Sequence, residues 1–333
     1  MKSNKYEIDM CNGSIMDKLV SFALPLMLSG ILQLMFNAVD IIVVGRFSGS
    51  EALAAVGSTT ALINVFTNLF IGISLGANVL AARFFAAGRK EEMSETVHTS
   101  ITLALISGIL MAFVGLVFSK GALELMGTPE DVIGLSTLYM RIYFMGMPFF
   151  MLYNYGAAIL RAVGDTKRPL YFLIIAGVIN AGLNMVLVIV FGLGVAGVGI
   201  ATVFSQMVSC VLVLICLCRT EGSYKLSFSK LSMKGYYLKQ IFQVGIPAGI
   251  QSTVINFSNA LLQSSVNSFG STAMAGYTAA NNILGFLYVS INSVTQACMS
   301  FTSQNFGVGK YKRMDRVLID CMILSVGTAL VLG

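Results

Sequence analysis

Long apolar runs, separated by short polar stretches, recur along the whole chain. Most of these runs exceed the roughly 18 apolar residues that an α-helix needs to cross a bilayer, and none shows the alternation of barrel strands. The pattern predicts an all-α polytopic membrane protein with eight complete spans and a ninth that is cut short. The runs fall at residues 17–44, 53–82, 96–118, 132–158, 169–191, 194–218, 238–267, 273–303 and 317–333.

Composition excludes a soluble protein with a normally charged surface, because 56% of the 333 residues are hydrophobic and only 11% are charged. The first apolar run lacks a small-residue cleavage site and is predicted to remain as a span. We therefore expect a multi-pass protein of the cell (inner) membrane, and we expect it to be a monomer.

The positive charges fall mainly on one side of the predicted spans. Eighteen of the 21 Lys and Arg residues lie at the amino terminus or in the loops after spans two, four, six and eight. The positive-inside rule places that side, and with it the amino terminus, in the cytoplasm. The net charge of +6 follows from this loop distribution, so it indicates no nucleic-acid partner.

The chain repeats itself in parallel. The segment "FALPLMLSGILQLMFNAVD" aligns with "VGIPAGIQSTVINFSNALL", which pairs Pro25 with Pro247, and "AAGRKEEM" aligns with "GVGKYKRM", which pairs Gly88 with Gly309. One unit is thus about 220 residues and six spans long, an arrangement that transporters use to form a substrate path between two bundles. The alignment predicts two parallel six-helix repeats, of which the second is incomplete.

The repeat also predicts how the chain divides into parts. Residues 1–218 form an amino-terminal six-helix lobe, 219–237 a cytoplasmic inter-lobe linker, and 238–333 a partial carboxy-terminal lobe with spans seven, eight and part of nine. A complete second unit would give a protein of about 440 residues, so we expect the chain to be a fragment of a longer one.

Asp40 alone among the fifteen acidic residues lies deep within a predicted span. A carboxylate at mid-membrane costs about 2.5–3.5 kcal/mol on insertion scales, so such residues usually face a cavity and serve ion or substrate movement. A permanently protonated acid that packs between helices is the alternative.

Other polar residues accompany Asp40. Ser29, Gln33 and Asn37 precede it at helical spacing, so all four share one face of the first span. Such amides can line a cavity or simply join helices through hydrogen bonds worth about 0.6 kcal/mol each. The candidates for a substrate cavity are Gln33, Asn37, Asn64 and Asn259.

Motifs for catalysis or metal binding are missing from the sequence. The six cysteines are scattered and His98 has no ligand partners nearby in the chain, which argues against a zinc site. "GLGVAG" at 192–197 matches a dinucleotide-binding pattern but joins two spans, and we interpret it as a tight helical hairpin. The GxxxG pairs Gly72/Gly76 and Gly245/Gly249 predict close helix packing. We predict that the protein is not an enzyme and needs no cofactor.

Several segments resemble a known transporter family. "YMRIYFMGMPFFMLYNYGAAILRAVGDTKRPL", from Tyr139 to Leu170, is similar to the fourth span and following loop of bacterial multidrug and toxic compound extrusion (MATE) transporters. "VDIIVVGRFSGSEALAAVG" and "GVAGVGIATVFSQ" also resemble that family. The resemblance implies twelve helices in two lobes. It also implies export of cationic or amphipathic small molecules in exchange for H+ or Na+.

The resemblance further implies which residues couple transport to an ion. Asp40 matches the acid in the first helix, and the matching network positions are Tyr139, Asn180, Asn184 and Thr202. Asn184 departs from the family, since an amide stands where many members have an acid. Na+ could bind the oxygens of Asp40, Asn180, Asn184 and Thr202, although we favour protons.

Other functions stay open at the level of the sequence. Members of the same superfamily move lipid-linked saccharides, whose pyrophosphate would favour Arg or Lys in the cavity. A channel or a scaffold would show uncoupled flux or none. The literal 333-residue chain could also be an inactive fragment.

Overall fold

A computed structural model describes the backbone of residues 6–267 and 271–332, with side chains except at residues 61 and 332 and some positions between 257 and 283. The predicted domains also include residues 1–5, 268–270 and 333, which lie outside this description. A π-helical turn, Met185–Val190, follows α6, and a 3-10 turn, Phe228–Lys230, precedes α8. The described residues form ten α-helices: α1 Ile15–Phe47, α2 Ser50–Ala86, α3 Lys90–Leu125, α4 Glu130–Met145, α5 Met147–Ala162, α6 Lys167–Asn184, α7 Gly194–Arg219, α8 Gly235–Asn267, α9 Ser271–Gly307 and α10 Tyr311–Leu332.

These helices confirm the predicted all-α fold. Each apolar run coincides with a helical segment, and the fourth run coincides with α4 and α5 together. By length and composition, five described segments can cross a membrane: α1, α2, α3, α6 with its π-helical turn, and α7. The full number of spans therefore stays a prediction.

The fourth predicted span is broken in its middle. Gly146 separates α4 from α5 and donates its N–H to the carbonyl of Tyr143 at 3.0 Å. Pro148 follows in the first turn of α5, where its missing N–H is tolerated because first-turn amides have no partner within the helix. Gly108 of α3 packs directly against the backbone of Pro148, so the break is covered by a neighbouring helix.

The outer surface of α3 shows how the bundle meets its surroundings. Ile109, Phe113 and Val117 follow one another at four-residue spacing and are each more than half exposed. Such a continuous apolar stripe would be costly in water, whereas it suits contact with lipid chains.

The two GxxxG pairs pack against each other. Gly72 and Gly76 of α2 face Gly245 and Gly249 of α8, and a Cβ atom at any of these positions would overlap backbone of the opposing helix. The predicted close packing is confirmed, and the structure shows that it joins the first repeat to the second.

Two repeat-related helices also meet. α2 and α9 have equal length and are offset by 221 residues, so the counterpart of Asn78 is Met299. The next residue, Ser300, donates its hydroxyl to Asn78 Oδ1 at 3.0 Å. Contact between near-equivalent positions of α2 and α9 is consistent with the predicted parallel repeat.

The segment predicted to be a linker packs against α3. The Ser227 N–H donates to His98 Nε2 at 3.1 Å, while His98 Nδ1 lies 2.6 Å from the carbonyl of Ser94. Lys234 pairs with Glu95 at 3.0 Å. These contacts hold the connection on the first repeat. The domain boundaries themselves stay a prediction.

One face of the bundle carries the residues before α1. Tyr6–Ser14 lies there together with the turns that follow α2, α5, α7 and α9, and we call this surface the amino-terminal face. The contacts between Gly72/Gly76 and Gly245/Gly249 lie toward this face, as does the hydrogen bond between Ser300 and Asn78.

Candidate functional site

A cavity of about 320 Å³ opens among six helices of the first repeat, α1, α2, α4, α5, α6 and α7. Gln33, Asn37 and Asp40 reach it from α1, and Asn64 reaches it from α2. Three of the four predicted substrate-cavity residues therefore share one cavity. The fourth, Asn259, is exposed on α8 and is not among the described residues that line this cavity.

Asp40 is held by a ring of three polar side chains. Asn184 Nδ2 donates to Asp40 Oδ1 at 2.5 Å, and Thr202 Oγ1 donates to Asp40 Oδ2 at 3.4 Å. Asn180 closes the ring, since its Oδ1 accepts from Asn184 at 3.2 Å and its Nδ2 lies 3.5 Å from Thr202 Oγ1. The structure thus brings together four of the five residues that the resemblance assigned to ion coupling.

The fifth residue, Tyr139, lies on the wall of the same cavity. It is buried on α4, and the ring of Tyr143, one turn further on, lies 6.3 Å from its own ring, centroid to centroid. Tyr139 therefore belongs to the surroundings of Asp40 and makes none of the four hydrogen bonds of the ring.

Local backbone features on α6 shape the site. Asn180 and Asn184 stand one turn apart at the end of α6, immediately before the π-helical turn, and this spacing lets Asn184 bond both Asp40 and Asn180. Gly177 lies one turn earlier, and the ring of Phe36 from α1 occupies the space that a side chain there would need. A glycine at this position lets α1 approach α6.

One residue of the α1 polar stripe does not reach the cavity. Ser29 is buried and donates its hydroxyl to the carbonyl of Pro25 at 2.8 Å. Its polarity therefore serves the backbone of α1, in the way that serine side chains often bond back within a helix.

Sequence reasoning missed part of the cavity wall. Tyr143, Phe150 and Tyr153 add aromatic surface, and Gln206 and Ser209 add polar groups from α7. Thr202, Gln206 and Ser209 follow the spacing i, i+4, i+7, so a stripe on α7 could have indicated them.

The cavity has the electrostatics of a cation site. Asp40 is the one charged residue among the described residues that line it, and no Lys or Arg is found among them. Arg141, the cation nearest the middle of a predicted span, is exposed on the outside of α4 and does not line the cavity.

The oxygens around Asp40 could also hold a hard monovalent cation. Thr202 Oγ1 lies 3.4 Å from Asp40 Oδ2, the Oδ1 of Asn180 lies 3.2 Å from Asn184 Nδ2, and Asn184 Oδ1 is buried without a hydrogen-bond partner. An orphaned buried acceptor beside a carboxylate suits a cation or a proton donor. In the part of the chain that the structure describes, no cluster of three His, Cys, Asp or Glu side chains could bind a transition metal.

Comparison with known proteins identifies the family. A family model described as MatE matches residues 25–186 and 247–333. The two matched segments begin at Pro25 and Pro247, the prolines that the internal alignment pairs.

Curated relatives have transporter names. The chain is 34% identical over 306 residues to a probable multidrug resistance protein, YoeA, of Bacillus subtilis, covering 89% of this chain and 66% of that protein. It is 24% identical over 308 residues to an FAD transporter of Shewanella oneidensis, covering 90% of this chain and 67% of that protein. The chain spans about two-thirds of the length of these relatives.

Solved structures agree in fold. A structure described as the outward-facing conformation of a multidrug resistance MATE family transporter of the MOP superfamily matches with a TM-score of 0.92 at 23% identity. The match covers 100% of this chain and 74% of that one. Because the family model covers most of the chain and a curated relative exceeds 30% identity, the chain belongs to the MatE family.

Proposed function

We propose that the full-length protein is a secondary active antiporter that exports cationic or amphipathic small molecules in exchange for H+ or Na+. The observation that carries this proposal is the single carboxylate, Asp40, in a cavity whose described lining holds no cation. The protein would act as a transporter and not as an enzyme.

The cavity wall favours a cationic and partly aromatic substrate. Phe36, Tyr139 and Tyr143 present aromatic surface close to the carboxylate. An aromatic face attracts a cation by about 0.5–2 kcal/mol, more when water is excluded. Asn37 and Asn64 add hydrogen-bonding groups that adapt to substrates of different shape. This combination suits a binding site for many related cations.

Competition for Asp40 would couple the substrate to an ion. A proton or Na+ that neutralises Asp40 weakens its attraction for a cationic substrate, so one displaces the other. A protonated Asp40 needs an acceptor, and a flip of the Asn184 amide would present its unpartnered Oδ1. The same flip would offer an oxygen to Na+, so the geometry admits both ions. We favour protons because Asp40 is the sole carboxylate that the described cavity lining offers.

Alternating access requires that one face of the two repeats is closed. Here two close contacts between the repeats lie toward the amino-terminal face, at Gly72 with Gly249 and at Asn78 with Ser300. We place this face on the cytoplasmic side of the cell (inner) membrane, because most Lys and Arg residues of the loops lie there. The substrate cavity would then release its cargo to the outside.

Transport of an anion is less well supported. One relative is named an FAD transporter, and other members of the superfamily move lipid-linked saccharides. Both kinds of substrate carry phosphates, which proteins bind with Arg, Lys or helix amino termini. The described cavity lining offers a carboxylate where such a ligand would need a cation.

Dye efflux from proteoliposomes tests the proposal. Full-length wild type and Asp40→Asn would be compared under a proton gradient, a sodium gradient or neither, with Asp131→Asn, an exposed acid at the start of α4, as the matched control. We expect gradient-driven efflux by wild type and Asp131→Asn, and loss of efflux with weakened binding of the cationic dye by Asp40→Asn. Undiminished efflux by Asp40→Asn would overturn the coupling role.

A further inference from the structure

The segment before α1 crosses the amino-terminal face from one repeat to the other. We call Tyr6–Ser14 the amino-terminal strap. Its turn is built locally, since Asp9 accepts hydrogen bonds from the Cys11 N–H and from Asn12 Nδ2, both at 2.9 Å. Gly13 completes the turn with a positive φ of 71°. The strap is therefore an ordered loop with a defined shape.

One end of the strap rests on the first repeat. Tyr224 of the linker donates its hydroxyl to Glu7 at 2.7 Å, and the ring of Tyr6 lies against the guanidinium of Arg168 at 5.5 Å. Gly164, which ends α5 with a φ of 95°, leaves the space through which the backbone of Ile8 passes. A side chain at Gly164 would collide with that backbone, so the strap and this turn fit one another.

The other end of the strap rests on the second repeat. Lys310 Nζ donates to the carbonyl of Cys11 at 2.9 Å and to Asn12 Oδ1 at 2.8 Å. Arg313 Nη2 donates to the carbonyls of Asn12 and Gly13 at 3.1 and 2.9 Å. Two cations, Lys310 immediately before α10 and Arg313 in its first turn, thus bind a row of strap carbonyls.

Beneath the strap, buried amides of α9 join the repeats. Gln304 Nε2 donates to the carbonyl of Ala162 at 2.7 Å, at the end of α5 where carbonyls lack helical partners. Asn305 Nδ2 donates to the strap carbonyl of Met10 at 3.1 Å. Both amides are almost fully buried, at 3% and 0% exposure.

The chemistry of these contacts allows them to separate. Interfaces between moving domains are typically more polar than permanent ones, because polar groups can exchange their partners for water when the interface opens. Here Lys310 and Arg313 bind strap carbonyls at the surface, where water would replace them, and the buried amides bind backbone carbonyls beneath.

We propose that the amino-terminal strap is a releasable lock that holds the two repeats together at the amino-terminal face, and that it must detach for this face to open. The proposal rests on the alternating-access function proposed above. The lock is continuous with α1, so its release would be transmitted along the helix that carries Asp40.

Alkylation of the native Cys11 tests whether Lys310 and Arg313 hold the strap. Cys11 is half-buried, with its Sγ 3.9 Å from Gln304 Oε1. Full-length protein in detergent would be treated with a maleimide, and the modified Cys11 peptide would be followed by mass spectrometry. Lys312, an exposed cation beside Arg313 in the first turn of α10, provides the matched control Lys312→Ala.

We expect Cys11 in the double variant Lys310→Ala/Arg313→Ala to react about tenfold faster than in wild type. Without the two cations, the amino-terminal strap can open locally and expose Cys11 without breaking charge-assisted hydrogen bonds. Lys312→Ala should react at the wild-type rate. Equal rates in all three proteins would overturn the lock. This measurement needs no ion gradient, so it can fail independently of the antiport proposal.

A reversible cross-link tests whether release is required. Oxidation of Gln304→Cys with the native Cys11 would form one disulfide between strap and α9, with the two thiols losing two electrons to the added copper phenanthroline and oxygen. We expect at least tenfold slower dye efflux after cross-linking and recovery with reductant, whereas Cys11→Ser/Gln304→Cys should be insensitive to oxidation. Undiminished efflux by the cross-linked protein would show that the strap need not detach.

Discussion

Asn184 Nδ2 donates a hydrogen bond of 2.5 Å to Asp40 Oδ1. At the position of Asn184, many members of the MATE family carry a second acid. The same nitrogen also donates to Asn180 Oδ1. The other amide atom, Asn184 Oδ1, is buried without a hydrogen-bond partner. The carboxylate is therefore positioned by a neutral group that can donate or accept after an amide flip. This relationship yields the first prediction.

Replacing Asn184 with alanine should reduce gradient-driven dye efflux at least tenfold. Asp40 would lose its shortest hydrogen bond, and the free energy of unfolding should fall by about 1–3 kcal/mol because a buried acceptor loses its donor. Efflux from proteoliposomes and thermal unfolding measure the two effects. Asn154→Ala is the control, because Asn154 lines the same cavity but bonds the Phe150 carbonyl. Wild-type efflux by Asn184→Ala would contradict the role of the ring.

The ring of Tyr143 should contribute to substrate binding. Tyr143→Leu removes an aromatic face from the cavity and should weaken the binding of an aromatic cationic dye about 5–30-fold, while Tyr143→Phe should restore it. Fluorescence polarisation of the dye provides the Kd. Tyr171→Leu, on the exposed face of α6, controls for general effects of losing a tyrosine. An unchanged Kd in Tyr143→Leu would exclude this ring from the binding surface.

Close packing of α2 on α8 should tolerate no side chain at Gly72. Gly72→Ala would force the Cβ against the backbone of Gly249 and should destabilise the protein by about 1–3 kcal/mol, as overpacked sites do. Gly57→Ala is a matched control on the same helix, since open space surrounds Gly57. Circular dichroism would give the midpoint of thermal unfolding, and a Tm for Gly72→Ala equal to that of Gly57→Ala would refute the tight contact.

His98 should hold the linker to α3. His98→Ala removes the acceptor of the Ser227 N–H, so the amides of 224–231 should exchange with deuterium several-fold faster. Ser94→Ala should change exchange much less, because His98 Nδ1 loses the Ser94 hydroxyl at 3.4 Å but keeps the backbone carbonyl of Ser94 at 2.6 Å. Hydrogen exchange with mass spectrometry measures the exchange rates of these amides in both variants. Equal rates in both would show that other contacts hold the linker.

Local patterns predicted what lies along a single helix. The stripe through Gln33, Asn37 and Asp40, and the one-turn spacing of Asn180 and Asn184, identify cavity faces because helical geometry fixes which residues share a side. The family resemblance supplied Thr202, whose contact with Asp40 joins residues 162 positions apart.

Features that depend on partners distant in sequence escaped prediction. The GxxxG pairs indicated close packing, yet the sequence around each pair does not indicate that α2 packs against α8. The break at Gly146 and the π-helical turn after Asn184 lie inside apolar runs that read as continuous spans. Asn259 has the polarity of a cavity residue, but its distance from the described cavity depends on how the repeats are arranged.

The packed linker bears on the order in which the chain assembles during synthesis. Its hydrogen bonds and ion pair reach Leu217, His98, Thr99 and Glu95, all of which leave the ribosome before it does. The first bundle and its connecting segment can thus fold together before α8 enters the membrane, in keeping with the tendency of domains to fold from the amino terminus onward. The second bundle would then insert beside a finished surface, with Gly72 and Gly76 already presented to receive it.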